Sequence, residues 1–422
     1  MKLNIGIVGF GEFSRTFLEL FLHHPNVEAV KGAEIMEERR NEIAEQFGIK
    51  MYSSYEEMLK NDKELNAVAI FAQRHQHGPM AIAALKAGKH VFSAVPIGCS
   101  EEEVAEIIRL VQETGLTYMC AETCYYFPCA VYCREKFKTG YFGEFVYGES
   151  QYYHDISAMF DSFSGSGGDE WKKVAGVPPM FYSSHSMSMM FSSINDHPVS
   201  VTCFGYEDKT GDDIYGEGKN YWDNPFSNEI AVFEMSKGGY TRINEFRRIG
   251  TLKPSSYITG LYGKLGAYEG SGMNHFVIRG EANEKTETED VGYLINTKSY
   301  ESAKNTINPG EGRMNYLKYH TGFSAVHDVE RLPKKIANLE SEFGYSLNGH
   351  NGTHPFLVDD FVRAVCSGLI PPNNVWDSAV YAIAGITAHK SAMLGGKRLS
   401  VPFYGSAPDG WQKKWEEELK KR

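Results

Sequence analysis

The first third of the chain alternates between two textures. Leu3 to Phe10 (LNIGIVGF) is an apolar run of strand length, and in the following GEFSRTFLELF the residues Phe13, Phe17, Leu20 and Phe21 recur at helical spacing. A second apolar run, VEAVKGAEI, leads into a charged helix that ends at EQFG. NAVAIFA, a helix MAIAALKAG and a strand HVFSAVP come next. Ser100 then starts a helix as an N-cap with Glu103 three residues on, and Val104, Ile107, Ile108 and Val111 share one face of it. LTYMCAE is a further short strand. Strand alternating with helix in this way predicts a parallel, doubly wound α/β sheet over residues 1–125.

Beyond that point the periodicity changes. EFVYGESQYYHDI, VSVTCFGYE, EIAVFEM, YTRINEFRR and AYEGSG read as successive strands with few helices between them. They predict an open, mainly antiparallel sheet in an α+β domain over residues 126–422. Helical texture returns at about 355–395, where Val358, Phe361, Val362 and Val365 form one apolar face and WDSAVYAIAGITAHKSAML forms a second helix. Two polar stretches, 207–224 and 282–312, read as long loops: lids, subunit contacts or solvated insertions. A length of 422 residues agrees with two domains.

Charge and cysteine content narrow the setting. A formal net charge of −11 argues against nucleic acid or an anionic membrane as partner. The first apolar run is too short for a signal or a membrane span, and the seven cysteines are an odd number, so reduced thiols and a cytoplasmic location are expected. Cys120, Cys124, Cys129 and Cys133 read as core thiols in an aromatic-rich segment, and no metal is expected.

The first chemical signal is GFGEFS, spanning Gly9, Gly11, Glu12, Phe13 and Ser14, where the first strand turns into the first helix. Gly9 permits the tight turn, Gly11 lets backbone approach a pyrophosphate at the helix N-terminus, and Ser14 is small enough for helix–strand packing. Glu34 ends the second strand, where a carboxylate accepts hydrogen bonds from ribose hydroxyls and repels a 2′-phosphate. NAD is favoured over NADP, because Ile35 stands where an arginine would serve the phosphate, although Arg39 and Arg40 are near. The first domain is thus read as a Rossmann domain.

With these features the chain resembles the Gfo/Idh/MocA family of glucose–fructose oxidoreductase and inositol dehydrogenase. The resemblance runs through NIGIVGFGEFS, YEEML, AVAIFAQRHQHGPMAIAALKAGKHV, GYFGEFVYGE, HPFLVDDFVRAV and AHKSAMLGGKRLSVPFY. It implies a Rossmann domain, a sheet that carries a sugar site and often a homodimer or homotetramer interface, and NAD-dependent chemistry on a carbohydrate. It also places Ala72, Gln73, His75 and His77 near the nicotinamide. Most members end the fourth strand Glu-Lys-Pro with a catalytic lysine; here those positions are Ala94, Val95 and Pro96. The family's Asp-x-x-x-His is altered too: the His is His185 and the Asp position holds Phe181.

The acid–base role then falls to His185, with Tyr182 three residues before it. A lysine-free strand with Tyr-x-x-His also resembles the NAD-dependent glycosidases of glycoside hydrolase family 109, a likeness that extends to Glu122 and Tyr152. That branch implies oxidation at C3, elimination, water addition and re-reduction, with no pair of carboxylates astride the bond. Three outcomes stay open: net oxidation of a sugar hydroxyl, redox-neutral cleavage, and an NAD-binding sensor without catalysis. Arg242, Glu245, Arg247 and Arg248 alternate along one strand, either as cross-strand ion pairs or as a substrate face. His350 and His354 in GHNGTHP resemble a loop near the family's substrate site.

Overall fold

The buried apolar runs of the first third pair as six strands: β1 (Leu3–Val8), β2 (Val27–Ala33), β3 (Lys50–Tyr52), β4 (Ala67–Ile70), β5 (His90–Ser93) and β6 (Tyr118–Cys120). In this computed structural model, which describes residues 2–250, 255–272, 274–280, 286–297, 321–343 and 346–421, they form one parallel sheet in the order β3-β2-β1-β4-β5-β6. The order reverses at β1, so the cleft outside the carboxyl ends of β1 and β4 is where such a sheet takes a ligand. The expected helix starts are built from local chemistry. Ser100 Oγ accepts the Glu103 N–H at 3.2 Å, and Glu103 Oε2 accepts the Cys99 N–H at 2.8 Å, closing the helix Glu101–Thr114.

The second sheet has nine strands: β7 (Phe145–Tyr153), β8 (Pro198–Glu207), β9 (Phe226–Met235), β10 (Tyr240–Phe246), β11 (Ser255–Gly263), β12 (Gly266–Gly270), β13 (His275–Arg279), β14 (Glu287–Asp290) and β15 (Leu399–Ser400). Their order is β14-β13-β12-β11-β7-β10-β9-β8-β15, antiparallel throughout except that β7 runs parallel to β10. The parallel pair arises because β7 is followed by a long excursion, residues 154–197, that carries the helix Ser184–Ile194 before the chain returns to the sheet. That helix is buried on nearly every face, so its residues Met187, Met189, Met190 and Phe191 show no amphipathic period; they join one core with Phe233, Ile243 and Ile258 of the second sheet and Val91 of the first. Of the loop expected at 282–312, residues 286–297 hold β14 and a helical turn with Ile295 buried, and the rest lies outside the described residues.

The C-terminal helices tie the two sheets together. Phe356, Leu357, Phe361 and Val362 of the helix His354–Ser367 pack with Leu3, Ile5, Phe17 and Phe21, so this late segment covers one face of the first sheet. The helix Val375–Met393 lies against β8 and the helix Glu101–Thr114. Among the described residues no helix is long and apolar enough to cross a membrane.

Candidate active site

The turn after β1 has the form a dinucleotide needs. Gly9 has φ +82°, and a Cβ there would lie 2.9 Å from the Phe71 carbonyl oxygen, so both conformation and contact require glycine. Gly11 is different: a Cβ would meet nothing within 4 Å, and no side chain caps the helix α1 (Glu12–His23) that it starts. The unfilled space and unsatisfied N–H groups at this end fit a pyrophosphate. A cleft of about 200 Å³ lined by Phe10, Gly11, Glu12, Arg15 and Arg39 adjoins it. Ser14 Oγ donates to the Gly11 carbonyl at 2.9 Å, and Phe13 is half-exposed with its ring 5.6 Å from those of His350 and His354. Glu34 is buried and its two oxygens accept the N–H groups of Phe10 (2.9 Å) and Met36 (3.0 Å), which fixes the carboxylate beside the turn. Arg39 stands 3.7 Å from it.

The loops after β4 and β5 close the floor of the site. Ala72 and Gln73 are partly buried, and Gln73 Nε2 donates to Ser166 Oγ at 3.3 Å. His77 is buried, with one ring nitrogen 2.9 Å from the Ala72 carbonyl and the other 3.0 Å from that of Pro96, so it ties the ends of β4 and β5 together. Burial pushes its pKa down to about 4. His75 rests against Tyr221 at 5.1 Å between ring centres, which places the 207–224 loop over the site rather than free in solvent. Ala94, Val95 and Pro96 are buried, and the Ala94 N–H donates to the Ile70 carbonyl at 2.9 Å. The end of β5 contributes shape and no titratable side chain.

That side chain comes from elsewhere. Glu122 follows β6 as the cap of the turn Thr123–Tyr126, and His185 lies in the first turn of the helix Ser184–Ile194. His185 Nδ1–H donates to Glu122 Oε1 at 2.6 Å, and the same oxygen accepts the Cys124 N–H at 2.9 Å. Both residues are buried, and Glu122 Oε2 has no hydrogen-bond partner. The hydrogen bond sets the tautomer and leaves Nε2 as the basic nitrogen. Tyr152 and Tyr182 pack on the imidazole with ring centres at 4.8 and 5.0 Å. The Tyr152 hydroxyl lies 2.8 Å from His154 Nδ1, and burial holds it far above the usual phenol range. Glu122, Cys124 and His185 have potential ligand atoms within 4.8 Å of one another, but the Glu122–His185 hydrogen bond joins two of those atoms and burial raises the Cys124 thiol well above its ordinary pKa. Cys120, Cys129 and Cys133 are likewise buried thiols.

The segment carrying Tyr182 and His185 is held by a second Glu–His pair. Glu229 Oε2 accepts the Met180 N–H at 2.8 Å, and Glu229 Oε1 lies 2.7 Å from His389 Nδ1. A Cβ on Gly385 would be 2.0 Å from the Met180 carbonyl oxygen, so only glycine lets the helix Val375–Met393 come this close. Neither Glu229 nor Gly385 stands out in the sequence. Arg74 was equally inconspicuous beside His75 and His77; its guanidinium lies over the Tyr182 ring at 4.8 Å. His350 is exposed, and its Nδ1 lies 2.8 Å from Nε2 of the buried His354, whose Nδ1 is 3.3 Å from Thr16 Oγ1.

Residues 3–122 match the family described as an oxidoreductase family with an NAD-binding Rossmann fold, Gfo/Idh/MocA. The first sheet is thus similar to the NAD-binding Rossmann fold of that family. Beyond it the likeness is more distant. The chain is 28% identical to an alpha-N-acetylgalactosaminidase of Shewanella oneidensis over 166 residues, 36% of each protein. It is 22% identical over 427 residues to a glycosyl hydrolase family 109 protein of Streptomyces filamentosus, covering 95% of this chain and 77% of that one. In fold it is similar to levoglucosan dehydrogenase in complex with NADH and levoglucosan (TM-score 0.68, 17% identity, 95% of this chain and all of the other). Myo-inositol 2-dehydrogenase from Lactobacillus plantarum is similar too (TM-score 0.61, 18% identity, 95% of this chain and all of the other).

Proposed function

We propose that this protein is a Gfo/Idh/MocA-type, NAD-dependent enzyme that oxidises a hydroxyl of a sugar or sugar derivative, with His185 as the base. The observation that carries this reading is the buried Glu122–His185 hydrogen bond of 2.6 Å at the carboxyl end of the first sheet. Bound NAD supplies the hydride acceptor; Gly9, Gly11, Glu12, Phe13, Ser14 and Glu34 hold its adenosine and phosphates, and Ala72, Gln73, His75, Ala94, Val95 and Pro96 frame its nicotinamide end. His185 Nε2 takes the hydroxyl proton as the carbinol C–H bond breaks, and Glu122 keeps the ring oriented and steadies the imidazolium that results. Tyr182 and Tyr152 pack their rings against the same imidazole. The lysine absent from β5 is thereby replaced by a base from a different element.

A second reading, redox-neutral cleavage of a glycoside, is favoured by the near full-length similarity to a family 109 protein and by the packing of Tyr152 and Tyr182 on one imidazole. Such chemistry needs a second group to take the proton from carbon, and Tyr182, packed on the same imidazole, is the candidate. Purified protein incubated with aryl glycosides in heavy water, without added NAD, separates the two. Aglycone release over many turnovers with one deuterium at C2 establishes cleavage. NADH formation from free sugars once NAD is supplied, without aglycone release, establishes net oxidation. Failure of both overturns the enzymatic reading.

The outer face of the second sheet supports a homo-oligomer, dimer or tetramer. Phe204, Tyr206, Ile230, Val232 and Tyr240 project from β8, β9 and β10 and are exposed, a contiguous apolar surface of the kind that self-association covers. Light scattering tests it. The buried thiols support residence in the reducing cytoplasm.

A further inference from the structure

Two guanidinium groups lie over the ring of Tyr182, which packs on His185, and neither forms an ion pair with a carboxylate among the described residues. The arginines of β10 and the loop after it divide into two kinds. Arg242 pairs with Glu149 and Arg248 with Asp212. Arg247 is 3% exposed, has no carboxylate partner among the described residues, and buries its Nη1 without a hydrogen-bond partner. Its guanidinium lies over the rings of Tyr152 (5.4 Å) and Tyr182 (5.0 Å). Arg74 reaches the same Tyr182 ring from the first sheet, at 4.8 Å, and it too has no carboxylate partner among the described residues.

The neighbouring acids do not supply the missing charge. Glu122 is held by His185 and the Cys124 N–H. Asp155 accepts from Ser157 and from the N–H groups of Ile249 and Gly250. Glu245 accepts from Ser186 Oγ, forms no ion pair with Arg247, and is a carboxyl whose pKa burial raises. Burying a guanidinium without a counter-ion is strongly unfavourable, and contact with phenol rings offsets only part of that cost. A guanidinium as buried as that of Arg247 is completed by an anion, and the planar fork of arginine suits a carboxylate.

We propose that the substrate is an acidic sugar, a uronic acid or its glycoside, whose carboxylate is received by Arg247 and Arg74. This rests on the carbohydrate reading above and names the substrate class of the same site. The test uses the full-length protein with NAD and matched sets: glucuronic and galacturonic acids and their aryl glycosides, the corresponding methyl esters, and the neutral hexoses. The acid is expected to exceed its ester in kcat/KM on the order of 100-fold, the scale of a charge-assisted contact in a buried site. Arg247→Gln should collapse that ratio to about threefold or less, and Arg247→Lys should keep part of it.

Equal or better use of neutral sugars by the unaltered protein overturns the proposal while leaving the carbohydrate reading intact. So does an Arg247→Gln protein that loses NADH affinity but keeps the acid-to-ester ratio, which would give the cations to the cofactor's phosphates. If nothing turns over, the enzymatic reading fails, and thermal shifts with glucuronate against its methyl ester, in the presence of NADH, decide the anion site alone. If Arg247→Gln does not fold, Arg74→Gln and the ratio measured on the unaltered protein decide it.

Discussion

Glu122 and His185, 63 positions apart, are joined by a 2.6 Å hydrogen bond that links the last strand of the first sheet to a helix buried between the two sheets. The carboxylate has one task that a structural role would not demand: it holds Nδ1 protonated so that Nε2 is the acceptor. His185→Ala is expected to lower kcat by about 10²–10⁴, the usual scale for a lost general base. Glu122→Gln should lower kcat by about tenfold or more through the wrong tautomer, with KM and NADH affinity little changed. Steady-state kinetics and NADH fluorescence titration check both. A Glu122→Gln protein with unchanged kcat would remove Glu122 from this role.

Gly9 and Gly11 separate folding from cofactor binding. Gly9→Ala forces a side chain onto φ +82° and to 2.9 Å from the Phe71 carbonyl oxygen, so a lowered melting temperature is expected. At Gly11, with φ −70° and open space where the Cβ would point, valine fits the fold. Gly11→Val should therefore melt like the unaltered protein and yet bind NADH about tenfold more weakly or worse, because the branched side chain fills the approach of the pyrophosphate. Weak binding accompanied by a fallen melting temperature would show only a damaged turn.

What the sequence displays and what it hides follow from physics at particular residues. The first sheet was legible because Leu3–Val8, Ala67–Ile70 and His90–Ser93 are short apolar runs that alternate with helices. The helix Ser184–Ile194 was not, because burial on nearly all sides erases the 3.6-residue period. β14 carries Glu287, Thr288, Glu289 and Asp290, all exposed, and pairs at an edge where no apolar pattern is needed. Glu122, Tyr152, Tyr182 and His185 are grouped by the family 109 resemblance alone; that the other three meet at the His185 imidazole is a tertiary fact. Arg247 could not be told from Arg242 and Arg248, since the difference lies in where Glu149 and Asp212 fall in space.

Glu245 predicts a stability that falls with rising pH. It is fully buried, and desolvation raises its pKa well above the carboxylate range. The folded protein thus keeps a proton that the unfolded chain releases near pH 4. Its contribution is complete below that value and is lost as pH rises toward the folded pKa, at about 1.4 kcal/mol per unit. Glu245→Gln preserves the shape without the titration. Urea unfolding should show the variant gaining on the unaltered protein between pH 5 and 8. A constant difference across that range would mean that Glu245 is ionised in the fold.

Acid should act in the opposite direction through buried neutral histidines. His77 and His327 both have pKa values pushed down to about 4 by burial, and burial lowers His354 well below its ordinary value too. At His327 the tautomer is fixed from both sides: Nε2–H donates to the Tyr126 carbonyl at 2.8 Å, and Nδ1 accepts the Ser324 N–H at 3.2 Å. A second ring proton would break the latter bond. Because the folded pKa lies below the unfolded value of 6.5, this stabilisation is present above about pH 6.5 and lost as pH falls toward 4. Each of His77 and His327 removes up to about 3 kcal/mol over that window, a large part of the stability of an ordinary domain. His327→Gln, which can donate to the Tyr126 carbonyl without titrating, should take up about one proton fewer than the unaltered protein on unfolding near pH 5, measured by calorimetry in buffers of differing ionisation heat. Equal uptake by the two proteins would mean that the His327 ring is charged in the folded protein.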